Sequence, residues 1–319
     1  MVGTLVWDRI VAHDRSGEVV ERWGGIGYGI AAAAAALSRQ WRVLPIVRVG
    51  RDMHGHALDF ISTVDGVDAS AMLSVDAPTN RVELCYHSAS ERTERLTGGV
   101  GCWPWAELRT RIARCDALLV NFVSGHEATL ETTRRLRGGF KGPIYADLHS
   151  LFLGTRADGT RVPRPLDDPE AWVRCFDAVQ LNEAEARLAL PGGASSERMP
   201  DVALGWGAGL AVVTGGEAGV RWAARRDLNA DPLAWRTAGG GRSPVPGARV
   251  VTGSVTISSA LRGDPTGCGD VWGAAFFGRL LSGDSIGTAA ETATRFAARN
   301  VVHRGADGLF QALLHEVVP

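Results

Sequence analysis

The chain has 319 residues, 45% of them hydrophobic, enough to bury a large core in one big α/β domain or two smaller ones. Its formal net charge of -1 comes without long like-charge blocks, which argues against a nucleic-acid partner or an anionic membrane surface and favours small ligands. Five scattered cysteines with no CxxC pair argue against a disulfide framework or a zinc knuckle and fit a reducing, cytoplasmic setting.

From the amino end, "GTLVW" reads as a first strand with Asp8 at its end. Asp8 and Arg9 come before any long apolar run, so neither an export leader nor a membrane span is expected. "VAHDRSGEVVERW" is polar and amphipathic with turn residues inside, the pattern of a small antiparallel flap, and "NRVELCYHSASERTERL" repeats that pattern. Between them, "WGGIGYGIAAAAAA" opens a helix with a glycine cluster that includes Gly24, Gly25 and Gly29. Its spacing is not GxGxxG and it follows a flap strand, which argues against a dinucleotide site. The alanine run 31–36 predicts a small-faced helix packed closely against a sheet.

"WRVLPIVRVG", "CDALLVNFV", "GPIYADL", "FDAVQLN" and "GLAVVTGG" read as further strands, and "HALDFISTV", "TLETTRRLR" and "EAEARLAL" as helices. Trp103 and Trp105 read as packing where a helix begins at Pro104. This alternation predicts βαβ crossovers, a mostly parallel sheet with helices on both faces, and functional groups at the carboxyl ends of strands. The span from Gly219 to Asp264 contains "RDLNADPLAWRTAGGGRSPVPG" and reads as an irregular surface insertion. A last helix follows in "VWGAAFFGRLLSG", and no repeat or linker divides residues 1–319.

Three motifs bear on chemistry. In "GDPTGCGD", Gly267 and Gly269 clear space before a helix whose free N–H groups and dipole can hold an anion. Asp270 at that helix start is either an N-cap or a general base taking a proton from a hydroxyl that attacks the anion. "QLNEAEARL" sets Asn182 and Glu185 one helical turn apart, which suits a hydrated magnesium ion or a reciprocal Asn–Glu cap. "VVTGGEAGV" ends a strand in Thr214, Gly216 and Gly219, a weak ligand signal on its own. Of the 34 basic residues, Lys141 is the single lysine, and it lies in a Gly/Pro turn. A P-loop or a protein-kinase lysine is therefore excluded, and phosphate must be handled by backbone amides, arginine and metal. The histidines gather into no obvious ligand set, and there is no GxSxG and no HExxH.

Taken in order, these motifs resemble the ribokinase, or PfkB-type, family of carbohydrate and nucleoside kinases. The resemblance covers most of the chain, from "GTLVWD" and "GGIGYGIAAAAAAL" through "VGRDMHG" and "PTNRVELCYHSASERT" to "NEAE", "TGGEAG" and "DPTGCGD". It implies a three-layer α/β/α sandwich with a mostly parallel central sheet and a small β lid, formed roughly by residues 9–23 and 80–97. It implies that Asp270 is the catalytic base, and that the amides of Gly267, Cys268 and Gly269 form an anion hole. Asp8, Gly24, Gly25 and Gly29 would bind the acceptor. Thr214, Gly216, Gly219 and Asp264 would lie on the ATP side, and Asn182 and Glu185 would organise Mg2+, with a monovalent cation such as K+ as a further cofactor. The acceptor would be a sugar or nucleoside, and the lid could also form a homodimer interface. The chain departs from the family at Tyr28 and Gly29, where a sugar-contacting asparagine is usual, at Pro265 in place of threonine, and at Cys268 in place of alanine. The first departure motivates a rival reading, a catalytically inactive member that binds a sugar or nucleoside.

Overall fold

Four apolar runs end in polar residues, and that pattern builds the centre of the molecule. They form β7 (Leu118–Asn121), β8 (Ile144–Asp147), β11 (Ala178–Asn182) and β12 (Leu210–Thr214), paired in parallel in that order. Side chains alternate between the two faces, as the strand repeat requires. Leu119, Tyr145, Ala178 and Val212 enter one apolar core, while Val120, Ala146, Val179 and Val213 enter the other. Burial on both faces explains the unbroken apolar runs. The computed structural model describes residues 1–11, 19–87, 92–190, 192, 195–235, 250–257, 263–303 and 305–315.

The sheet continues antiparallel through β13 (Val220–Arg225) and β14 (Val250–Val255). The expectation of an irregular insertion after Gly219 therefore fails at both its ends. Val220, Ala223 and Ala224 are buried, so their strand is core structure, while residues 236–249 and 258–262 lie outside the described residues. On the first face lie α1 (Ile26–Ala36), α2 (His54–Ser62), α8 (Cys268–Leu281), α9 (Ile286–His303) and α10 (Leu309–Leu314). The other face carries α3 (Trp105–Ile112), α4 (Leu130–Gly139), α5 (Pro169–Val173), α6 (Glu183–Ala189) and α7 (Met199–Gly205). The result is a three-layer α/β/α sandwich.

The alanine run packs mainly on another helix, not on the sheet. Gly29 of α1 lies against Ala274 of α8, and Gly278 of α8 lies against Ala36. Small residues on both sides let the two backbones approach, which is what the alanines are for. Trp103 is buried at the start of α3 with the guanidinium groups of Arg48 and Arg111 within 5.6 and 5.1 Å of its ring centroid, a packing arrangement as expected.

A second sheet stands off the first. It consists of β1 (Leu5–Val11), β2 (Val19–Gly25), β5 (Arg81–Tyr86) and β6 (Arg92–Thr97) in the order β2-β1-β5-β6. The opening strand thus belongs to this lid and not to the core sheet; just before it, Val2 bridges in parallel to Val120 of β7 and to Ile46. Asp8 accordingly lies mid-strand, not at a strand end. The expected lid of 9–23 and 80–97 begins four residues earlier on its first strand, and residues 12–18 and 88–91 are outside the described residues. Of "WRVLPIVRVG" only β3 (Arg48–Gly50) is a strand, paired with β4 (Leu73–Val75). A hairpin of β9 (Leu153–Thr155) and β10 (Arg161–Pro163) reaches from the end of β8 to the lid, where the Leu96 N–H donates to Gly159 O at 2.9 Å.

Candidate active site

The polar residues at the strand ends converge under the first turn of α8. Asn121, last in β7, donates from Nδ2 to Asp270 Oδ1 at 2.6 Å. Gln180 in β11 donates from Nε2 to both Asp147 Oδ2 and Gly269 O, each at 3.0 Å, while its Oε1 accepts from Tyr145 Oη at 2.7 Å. Asp147, last in β8, also accepts at Oδ1 from the His149 backbone N–H at 3.2 Å and faces His149 Nδ1 at 3.3 Å. Ligand-capable atoms of Asp147, His149 and Asp270 lie within 4.8 Å of one another. Among these, only Asp270 was singled out from sequence. The available signal was positional: Asn121 and Asp147 close apolar strands and His149 lies just beyond one, while Gln180 is a polar residue inside β11, in register with Asp147.

The turn before α8 is built for close approach. Gly267 has φ 77°, and a Cβ there would enter the Tyr28 ring packed against it. The Thr266 carbonyl accepts from Asn300 Nδ2 of α9 at 2.8 Å, and the Pro265 carbonyl accepts from the Cys268 N–H at 3.1 Å. Cys268 is thus a correction to the expected anion hole, because its amide is already satisfied. The amides of Gly269 and Asp270 follow in the first helical turn, before the Val271 N–H closes the first bond to Gly267 O.

One cleft of about 1010 Å³ runs between lid and core and is lined by Asp8, Gly25, Asn182, Glu185, Thr214, Gly216, Gly219, Gly267, Cys268, Gly269 and Asp270. The structure therefore brings these expected residues together. Three others lie elsewhere. Gly29 sits in the α1–α8 contact. Gly24 lies behind Asp8, where a Cβ would fall inside the Asp8 carboxylate. Asp264 holds its own loop: Oδ1 accepts from Thr266 N at 2.9 Å, Thr266 Oγ1 at 2.6 Å and, from the lid, Tyr86 Oη at 3.0 Å.

Asn182 and Glu185 form the reciprocal cap. Asn182 Oδ1 accepts from the amides of Ala184 and Glu185 at 2.9 and 3.0 Å, and Glu185 accepts from the Asn182 N–H at 2.7 Å. Both residues still line the cleft. Burial raises the Glu185 carboxyl to about 7, with His149 pulling it down and Asp147 pushing it up. Burial likewise lifts Asp270 to about 6, again against His149 and with Asp147. Asp8 is raised well above the usual carboxylate range, first by burial and then by Glu94 and Asp270. Desolvation works against a charged His149, but the Asp147 carboxylate outweighs it and holds the imidazole at about 10.

No family model matches the chain, and no curated protein matches it. Solved structures do. A pyrophosphate-dependent kinase in the ribokinase family, complexed with a pyrophosphate analog and myo-inositol, aligns with a TM-score of 0.73 at 18% identity, covering 98% of this chain and 97% of its own. The ribokinase of Thermotoga maritima aligns with a TM-score of 0.68 at 18% identity over 100% and 98% of the two chains. This chain has the ribokinase fold. A Burkholderia thailandensis nucleoside kinase in complex with inosine shares the ribokinase fold with a TM-score of 0.66 at 16% identity, over 95% and 90%. In this chain the lid sheet carries Asp8, and the first turn of α8 carries Asp270.

Proposed function

We propose that this chain is a kinase that transfers the terminal phosphoryl group of ATP to a hydroxyl of a sugar or nucleoside. The observation that carries the reading is Asp270. Its carboxylate lies at the amide-rich start of α8, oriented by Asn121, in the same cleft as the lid carboxylate of Asp8. A carboxylate beside an anion site repels the anion unless it has a proton to accept, and an attacking hydroxyl supplies one.

In this reading Asp8 accepts hydrogen bonds from acceptor hydroxyls and turns one of them toward Asp270. That hydroxyl gives its proton to Asp270, its oxygen bonds the terminal phosphorus, and the bond from phosphorus to the bridging oxygen breaks, releasing ADP. The Gly269 and Asp270 amides take up charge on the transferred oxygens. Glu185 and Asn182 suit Mg2+, because the cleft holds an excess of mutually repelling buried carboxylates and oxygen donors. When bound, the ion would neutralise charge on the leaving diphosphate. At the far end, Ile257, Ala297, Ala298 and Val301 form an apolar wall fit for a purine base. The resemblance to pyrophosphate-dependent kinases makes pyrophosphate the second donor to assay.

The test is phosphoryl transfer from ATP or pyrophosphate across a panel of sugars, cyclitols and nucleosides, with Asp270→Asn as control. Turnover that the substitution abolishes supports the kinase. Stabilisation by an acceptor without turnover on any of them would support the binding-only reading instead.

A further inference from the structure

Resting on that kinase reading, we propose that Glu94 of the lid, positioned by Arg161, is a second acceptor-binding carboxylate beside Asp8, and that the pair selects uncharged polyols over acceptors that already carry a phosphate or carboxylate. Asp8 is 3% exposed and lines the cleft, yet its carboxylate accepts no hydrogen bond from the described residues. A buried carboxylate in that state needs donors, and a ligand in the cleft can bring them. Glu94 lies two strands away. The register sets Asp8 opposite Val82 and Val82 opposite Leu96, so Glu94, two residues from Leu96, shares the cleft face with Asp8. Two strand spacings separate them by roughly 10 Å across the sheet, a span that one sugar or cyclitol ring bridges with a hydrogen bond at each end. Val82 and Leu84 lie between the two carboxylates, an apolar floor for the C–H groups of such a ring.

Arg161 accounts for the placing of Glu94. Its side chain is 1% exposed and donates to the carbonyls of Val123 and Ser150, each at 3.3 Å, which anchors the guanidinium to the core. From that anchor Nη1 meets Glu94 Oε1 at 3.4 Å, while Oε2 has no partner among the described residues. The lid carboxylate is thereby aimed from the core side, and its other oxygen is left for the acceptor. The same engagements disfavour a charged acceptor. Among the described residues, three basic side chains line the cleft: Arg92, Arg161 and His149. Arg161 holds those carbonyls, Arg92 donates to Tyr86 Oη at 3.0 Å, and His149 faces Asp147 at 3.3 Å. A phosphate or carboxylate on the acceptor would instead meet Asp8, Glu94 and Asp270 without a counter-charge of its own. The ion pair alone would also fasten hairpin to lid, so the test must read the acceptor.

The probes are ribose, glucose, myo-inositol and inosine, their singly deoxygenated analogues, their phosphate monoesters, and glucuronate. In the wild type, kcat/KM should favour the best neutral acceptor over its anionic counterpart by about 100-fold or more. Glu94→Gln should raise the acceptor KM about tenfold, with kcat within about twofold and the donor KM unchanged, and should narrow the discrimination against the anion about tenfold. Deoxygenation reads the contact directly. Loss of the hydroxyl that meets Glu94 should cost the wild type about 20-fold in kcat/KM and Glu94→Leu about twofold or less, a coupling that a mere lid fastening would not produce. Arg161→Lys should keep most of that coupling, and Arg161→Met should lose it. Equal use of neutral and phosphorylated acceptors by the wild type, or the same cost of deoxygenation in wild type and Glu94→Leu, overturns the inference while the kinase reading stands. If no acceptor is turned over, the kinase reading falls, and calorimetric affinities for the same probes decide the role of Glu94 by the same coupling. Binding of none of them overturns both.

Discussion

The two walls of the cleft are built differently. On the core wall, Asn121 and Asp147 close strands buried on both faces and Gln180 lies within the next one, bonded to Asp147, while Asn121 and Gln180 both bond the start of α8. On the lid wall, Asp8, Arg92 and Glu94 project from a sheet whose edge strand β6 alternates between exposed and half-buried residues. Buried, cross-linked strand ends hold geometry to a fraction of an ångström, which bond-making requires. A half-exposed sheet opens at low cost, which loading a substrate requires. In the proposed reading, the difference gives chemistry to the core and recognition to the lid.

The largest test of that division is Asp270→Asn, expected to cut turnover by about 10³-fold or more while leaving acceptor binding measurable in a thermal-shift titration. On the opposite wall, Asp8→Asn should raise the acceptor KM by roughly 10²-fold with the donor KM unchanged. A fall in kcat alone would break the comparison. The pH profile sharpens it: the proposed base works only when ionised, so kcat/KM should fall along a one-proton limb as pH drops through about 6, the value to which burial raises Asp270 in the unliganded protein. Stability runs the other way. The folded Asp270 binds its proton more tightly than an unfolded carboxyl, so stability is lost as pH rises from about 4 to about 6. Asp270→Asn should therefore melt a few degrees higher than wild type at pH 7.5. The smallest effect is expected for Tyr86→Phe, which removes the 3.0 Å bond from lid to Asp264: a few-fold lower kcat/KM and faster amide exchange in β5 and β6.

How much could be read from sequence follows the same line. β7, β8, β11 and β12 were legible because burial on both faces leaves an unbroken apolar run, and α8 because glycines and an aspartate precede its apolar stretch. Asp147, His149 and Gln180 were not singled out, because each stands alone in the sequence and gains meaning only when parallel pairing aligns the strand ends. Gly29 was misplaced for a related reason: a glycine needed for helix approach looks, in one dimension, like a glycine that clears a ligand. Asn182 and Glu185 satisfied both readings of their spacing, a cap that also faces the cleft. β14 was hidden by the glycine- and proline-rich stretch before it.

The β9–β10 hairpin has a consequence for how the two walls of the cleft are coupled. It springs from the turn that carries Asp147 and His149 and grips the lid edge at Gly159 and Asp158, the latter accepting from Arg95 Nε at 2.7 Å. It is a tether, so any displacement of the lid edge would be passed to the strand terminus beneath it. In the proposed reading, an exposed surface loop, 156–159, is thereby geared to phosphoryl transfer, so lengthening or softening it is expected to lower turnover although none of its residues lines the cleft.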